Sequence, residues 1–418
     1  KQNMNILIIG NGFDIAHGLP TKYVNFLEFV KVIKQILNTK KLNEVNWGSI
    51  HPEVKYIIEK NTGNIRNNLF SQSVMWSDLL DDNIWIDYFL QNDMHGKENW
   101  IDFESEISDV IKSLDYDIHG GENDFDLYDE IMKNLSNEYL DCHEQLRELE
   151  SFKELRDRLY EDLNKLIRAL ELYLTEYVSQ IECKIISPDI SKIIMKIIEH
   201  EDGTRGATTS KIVCFNYTDT LERVYKYCRT EDIDYIHGKA VIDNTIETNN
   251  MVLGIDEFLP VDRQNIHTEF VAFKKFYQRI YKQTGCKYKE WVDKIREDYY
   301  SYLQKQTKEI NRGENGIQDS LNRLPESVLR DQKCKRHNLY IFGHSLDVTD
   351  KDILRDLILN DNVYTTIFYH NKDAMGQLIT NLVKIIGEEE LIKRTGGRTK
   401  TIEFKQQQAM ILNKAGYQ

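Results

Sequence analysis

Two apolar runs in this chain end in side chains that could hold a sugar hydroxyl or move a proton. Lys211-Ile212-Val213-Cys214-Phe215 leads into Asn216-Tyr217-Thr218, and Ile233 to Ile236 leads into His237-Gly238. An amide at such a position can hold a ribose hydroxyl or orient a water; a histidine titrates near neutral pH and can act as a general base. A third run, Met4 to Ile9, ends in Gly10-Asn11-Gly12-Phe13-Asp14. Glycines in a first strand-to-helix turn let the backbone approach a pyrophosphate, although Ile15 stands where a full GxGxxG motif has its third glycine. A fourth run ends in Phe342-Gly343-His344-Ser345-Leu346-Asp347, whose small and polar groups could contact a phosphate or ribose, and Leu253-Gly254-Ile255-Asp256 repeats the pattern. Each segment also has a plain structural reading. The glycines suit a tight turn without a ligand, Asn216 or Thr218 suits a helix N-cap, and His237 suits a core or solvated position. Thr349 or Asp350 suits a cap on the helix that follows.

Position is what groups these residues. Short β-branched runs suit strands buried on both faces of a parallel sheet. Strands are expected at Met4–Ile9, Lys211–Phe215, Ile233–Ile236, Met251–Leu253, Leu339–Phe342 and Val363–Tyr369. Helices are expected near Tyr23–Leu37, at Phe103–Leu114, within Leu127–Glu182, at Ile190–Glu199, Leu221–Cys228 and Asp350–Leu359, and from Phe258 to about Arg330. Strands alternating with helices predict a parallel sheet, so the polar strand ends would share the one edge where such sheets bind ligands. The expected organisation is a Rossmann-like nucleotide-binding core from residues 1–37, 206–257 and 336–418, with helical insertions at 38–205 and 258–335. Asp115–Asp129 reads as an exposed acidic loop and Thr21 as a helix N-cap. Trp100–Glu104 opens a helix, with Asp102 as its cap and Glu104 as a first-turn acid that could instead reach the ligand crevice.

Composition narrows the functional classes. The chain has 418 residues, 41% hydrophobic and 29% charged, with a net charge of −14. That length carries a large core, and the acidic average surface argues against nucleic acid while leaving room for a small anion held by backbone amides. The six cysteines are scattered without a CxxC pair, so neither a disulfide framework nor a zinc site is expected and the compartment reads as reducing. Ile6–Ile9 is too short for a signal-peptide core, and no run approaches a membrane span, so a cytoplasmic location is expected. Lys1–Asn3 read as lying ahead of a native start at Met4. GxxxxGK[ST], HExxH and GxSxG are all absent. Lys274, Lys275, Arg279, Lys282 and Lys287 form a basic cluster that reads as a solvated helix face or, alternatively, as a nucleic-acid contact of a nucleic-acid-directed toxin.

Ile9 to Asp14, His17-Gly18-Leu19-Pro20-Thr21 and Tyr23-Phe26-Leu27 closely resemble the N-terminal signature of the AbiH family of phage abortive-infection proteins. Trp100–Glu104, Phe215–Thr218, His237-Gly238 and Gly343–Asp347 resemble its later blocks in the same order. The same blocks are similar, more distantly, to sirtuin-type NAD-binding domains, with a glycine-rich first turn, a strand-end Asn, a His-Gly pair and a late Gly-x-Ser. The resemblance implies an α/β fold with a parallel-sheet, Rossmann-like (sirtuin-like) core and large helical insertions. It implies NAD as substrate or ligand, with no metal. Gly10, Gly12, Gly343 and Ser345 would contact the dinucleotide, and Asn216 and His237 would sit at the nicotinamide ribose. The paired cysteines of the sirtuin zinc module are missing, so deacetylation does not follow; zinc-free sirtuin-like defence proteins are NAD hydrolases. The expected activity is therefore cleavage of the nicotinamide–ribose bond by Asn216, His237 and Asp14, with Asn11, Phe13, Thr218, Gly238, His344 and Asp347 completing the binding set. The alternatives are a non-catalytic NAD or ADP-ribose sensor and a nucleic-acid-directed toxin. A homo-oligomer and a phage-derived trigger or partner protein are expected.

Overall fold

The computed structural model describes residues 3–39, 42–64, 69–94, 103–114, 152–194, 197–199, 205–207, 210–227, 229–259, 268–312, 334–397 and 400–413. Ten strands occur among them: β1 Asn5–Ile9, β2 Ile185–Ile186, β3 Ile197–Glu199, β4 Arg205–Ala207, β5 Lys211–Cys214, β6 Ile233–Tyr235, β7 His337–Phe342, β8 Val363–Tyr369, β9 Ile402–Gln406 and β10 Ile411–Leu412. Six form one sheet in the order β6-β5-β1-β7-β8-β9, and every pairing is parallel. Counting these six in chain order gives 3-2-1-4-5-6, the doubly wound order of dinucleotide-binding folds. Register places Ile9 level with Cys214 and Phe342, and Cys214 level with Tyr235, so four strand ends finish on one edge.

The alternation within β1 explains its central place. Ile6 and Ile8 pack with Val213, Leu339, Ile341 and Ile367 beneath the helices Lys351–Ile358 and Lys372–Ile386. Leu7 and Ile9 pack on the opposite face with Phe13, Ile190, Ile212, Leu221 and Phe342. A strand apolar on both faces must lie between two layers. A third apolar cluster joins the helices Tyr23–Thr39, Leu69–Leu80, Ile84–Met94, Phe103–Leu114 and Phe152–Glu176 to Met251, Leu253, Ile255 and Phe273 beside the sheet. Phe103 stacks between Phe89 and Tyr23, at ring-centroid distances of 4.1 and 4.2 Å.

One buried carboxylate ties this helical layer to the site. Glu171 Oε1, on the helix Phe152–Glu176, accepts hydrogen bonds from Val241 N at 3.0 Å and Asn244 Nδ2 at 2.6 Å. Its other oxygen accepts from Arg168 and Asn249. Four donors around one charge satisfy it without water, and they pin the loop that follows His237-Gly238.

The sheet departs from expectation in three places. Met251–Leu253 is not a strand, because the Gln278 side chain replaces a neighbouring strand: its Oε1 accepts from Leu253 N and its Nε2 donates to Leu253 O. Ile197–Glu199 does not continue a helix; the helix Pro188–Ile194 ends first, and β3 pairs antiparallel with β4. β9 is an unexpected edge strand, where Glu403 and Lys405 interrupt the apolar pattern. Edge strands commonly carry charge, which hides them from an apolar-run reading. Asp115–Asp129, Trp100, Asp102 and the residues of Leu127–Glu182 before 152 lie outside the described residues. Among the described residues, no helix is long and apolar enough to cross a membrane.

Candidate active site at the edge of the sheet

The strand order reverses between β1 and β7, and ligands of open α/β sheets bind outside the strand ends at that point. Here the β1 and β7 turns touch backbone to backbone. Gly12 N donates to Gly343 O at 2.8 Å, and Gly10 N donates to Phe342 O at 3.3 Å. A Cβ on Gly12 would lie 2.8 Å from Gly343 O, and one on Gly343, at φ +68°, would lie 2.2 Å from Phe13 N. The glycines let two loops meet, and the amides of Gly10 and Gly12 are engaged within the protein. Phe13 N donates to Gly10 O, and the Phe13 ring packs into the core against His17 and Phe342.

Beyond this contact lies a buried polar group drawn from two distant segments. Asp14, on the short helix Asn11–Ala16, accepts a 2.7 Å hydrogen bond at Oδ2 from Thr218 Oγ1, which in turn accepts from Thr220 Oγ1 at 3.0 Å. Asp14 Oδ1 has no partner among the described residues. Burial pushes the Asp14 carboxyl up to about 6, against the pull of the Thr218, Thr220 and Asn216 side chains beside it. Asn216 is only 5% exposed, yet neither its Oδ1 nor its Nδ2 finds a partner among the described residues. Its neighbours hold it in place: Tyr217 OH donates to Val252 O at 2.7 Å and Ala240 N donates to Tyr217 O at 2.8 Å. A buried amide whose carbonyl oxygen is unused, and whose Nδ2 has only the nearby Asp14 carboxylate to turn to, is costly unless a ligand or water completes it.

A charged cluster stands on the other side of Phe215, whose ring meets His237 at 5.3 Å and His344 at 4.2 Å, edge to face. His237 Nε2 lies 3.1 Å from Asp350 Oδ1, and His344 Nε2 lies 3.6 Å from Asp350 Oδ2. A carboxylate only accepts, so His237 carries its proton on Nε2 and keeps a lone pair on Nδ1. His344 Nδ1 accepts from Leu346 N, which fixes the same tautomer. Burial lowers the proton affinity of His237, Asp350 opposes this, and Lys275 adds to it. Burial alone would raise Asp350, but Lys275 and His237 hold its carboxyl well below the usual range.

The remaining expected contacts are distributed along this edge. Gly238, at φ +79°, packs against Asn250, where a Cβ would lie 2.1 Å from a carbonyl oxygen. Ser345 O accepts from Asn381 Nδ2, and the Asp347 side chain accepts from Thr349 N. Asn11 engages Thr21 in both directions, so the Thr21 hydroxyl is spent on Asn11. Asp350 is not a side-chain helix cap: its carboxylate turns into the charged cluster.

Lys275, named from the sequence only as part of a basic cluster, belongs to this site, a role that its residue type and spacing did not announce. At Lys274, Lys275 and Arg279 the basic cluster is not a solvated face, whereas Lys287 is exposed: Lys274 pairs with Glu257, Lys275 with Glu104 and Asp350, and Arg279 with Asp352. Lys282 donates to Met251 O and Lys287 to Ile233 O. The helix Lys275–Tyr281 is amphipathic in reverse, burying Lys275, Gln278 and Arg279 while Ile280 and Tyr281 are 70% exposed. Its only sequence signal is the i, i+3, i+4 spacing of those polar residues.

The family model for bacteriophage abortive infection AbiH matches residues 6–370, from β1 through β8 and every site residue above. No curated protein and no solved structure matches the chain. The family match covers most of the sequence, and the chain belongs to the bacteriophage abortive infection AbiH family.

Proposed function

We propose that this chain acts in abortive infection by hydrolysing NAD at the nicotinamide–ribose bond, at a sirtuin-like site on the β1–β7 edge. Family membership points to the abortive-infection role. The observation that carries the chemistry is the buried Asn216 amide beside Asp14, its carbonyl oxygen without a partner among the described residues. The leaving group of NAD is already a cationic pyridinium, so departure needs no strong acid, and the transition state has oxocarbenium character. Asn216 orients a ribose hydroxyl or the attacking water. His237 takes a proton at Nδ1 while Asp350 steadies the resulting charge. Asp14, largely ionised above pH 6, stabilises the developing positive charge. The same reading places the chain in the cytoplasm, held in check until a phage-derived trigger arrives, with a homo-oligomer as its working form.

Purified protein incubated with NAD is expected to release nicotinamide, measured by chromatography. Asn216→Ala and His237→Ala should each reduce release by about 100-fold or more with folding intact. Tight NAD binding in calorimetry without nicotinamide release would replace hydrolysis by a sensor role. Neither binding nor release, with or without phage lysate, would end the dinucleotide reading.

A further inference from the structure

We propose that Lys275 is a positioning residue of this site, joining both helical insertions to the Asp350–His237 pair so that the helix Phe103–Leu114 governs how His237 takes a proton. This rests on the reading of His237 as the base. The Lys275 ammonium has three protons and three acceptors: Glu104 Oε2 at 2.7 Å, Thr349 Oγ1 at 2.9 Å and Asp350 Oδ1 at 3.3 Å. Lys275 is 3% exposed, so these contacts replace water. They come from separate parts of the chain. Glu104 lies in the first turn of the helix Phe103–Leu114, Thr349 and Asp350 follow β7, and Lys275 opens its own helix.

The geometry makes the lysine a competitor as well as a tether. Asp350 Oδ1 is the oxygen that faces His237 Nε2 at 3.1 Å. The closer Lys275 draws to Asp350, the less negative charge that oxygen offers the imidazole; Glu104, at the shorter distance, draws Lys275 away. The other groups facing His237 are the Phe215 and Tyr217 rings, Arg279, which pairs with Asp352, and His344 across Asp350. None of these connects to Glu104 as directly as Lys275 does. A movement of the Phe103–Leu114 helix would therefore reach the base through one ammonium group.

The test is the titration of His237 in the full-length protein, followed by NMR with labelled histidine and assigned by loss of the signal in His237→Gln. Lys275→Met should raise the His237 midpoint by about one pH unit, since a buried cation nearby is removed. Glu104→Gln should lower it by freeing Lys275 to close on Asp350, and Lys275→Arg should stay near wild type. The acidic limb of kcat/KM for nicotinamide release should move in the same directions. A midpoint unmoved in both Lys275→Met and Glu104→Gln overturns the proposal. If Lys275→Met does not fold, Glu104→Gln decides alone, because it keeps the lysine and its two acceptors near β7. The titration needs no substrate, so the two readings fail separately. Moved midpoints without NAD cleavage sink the hydrolase and keep the lysine role. Cleavage with unmoved midpoints does the reverse.

Discussion

Asp14→Asn is expected to abolish NAD cleavage and, at the same time, to raise stability at pH 8 by about 2 kcal/mol. Burial raises the Asp14 carboxyl from 3.8 to about 6, so the fold favours its neutral form. The favourable contribution is fully present below the unfolded value and is lost as pH rises through 6. Above that, the protein holds a buried carboxylate at a cost of up to about 3 kcal/mol, at 1.36 kcal/mol per unit. Asparagine has the same shape, cannot ionise, and keeps an acceptor for Thr218 Oγ1. Thermal unfolding of the variant and the wild type at pH 4.5 and pH 8 separates the outcomes. The variant should gain at pH 8 and show little advantage at pH 4.5. Equal destabilisation at both would make Asp14 an ordinary structural acceptor. A site that costs stability and gains when neutralised is the usual mark of selected chemistry.

Gly343→Ala should be among the most damaging single changes in the chain. Its φ of +68° is strained for any residue with a Cβ, and the new methyl would lie 2.2 Å from Phe13 N and 2.6 Å from Gly12 C. Those are backbone atoms of the facing turn, so no side chain can swing away. Gly387 supplies the control: its φ is +85°, and nothing lies within 4 Å of a Cβ built there. Gly387→Ala should cost about 1–3 kcal/mol, the conformational penalty alone, since φ +85° with ψ 155° is a backbone region nearly reserved for glycine. Gly343→Ala should cost about 4 kcal/mol or more and reduce soluble yield. Equal unfolding temperatures for the two variants would mean that the β1 and β7 turns do not pack as described.

The strands that build the site were legible because β1, β5 and the ends of β7 and β8 are short, mostly apolar runs, and because Ile233 and Ile236 frame β6 despite the buried Asp234 between them. β9 escaped because Glu403 accepts from Tyr364 and Thr366 on the neighbouring strand, an edge pairing that looks polar in sequence. Met251–Leu253 had the composition of a strand, but no sequence rule announces that Gln278 will take the place of its partner. The site divides in the same way. Placing Asn216, His237, Gly10 and Gly343 on one edge follows from the strand-end rule. The meeting of Thr218 with Asp14, 204 residues away, depends on the pairing of β1 with β5. Lys275 stayed hidden because periodicity shows that a helix has two faces without showing which one is buried. Here the polar face turned inward to meet Glu104 and Asp350, two acids that are hundreds of residues apart and individually resemble helix-start residues.

The most direct measurement is a crystal structure of the His237→Ala chain, slowed in turnover, grown with saturating NAD. The expected result is a dinucleotide along the β1–β7 edge, its nicotinamide ribose within hydrogen-bonding distance of the Asn216 amide and close to Asp14. An edge without nucleotide and an Asn216 amide still lacking a partner, or NAD bound on another face, would contradict the account.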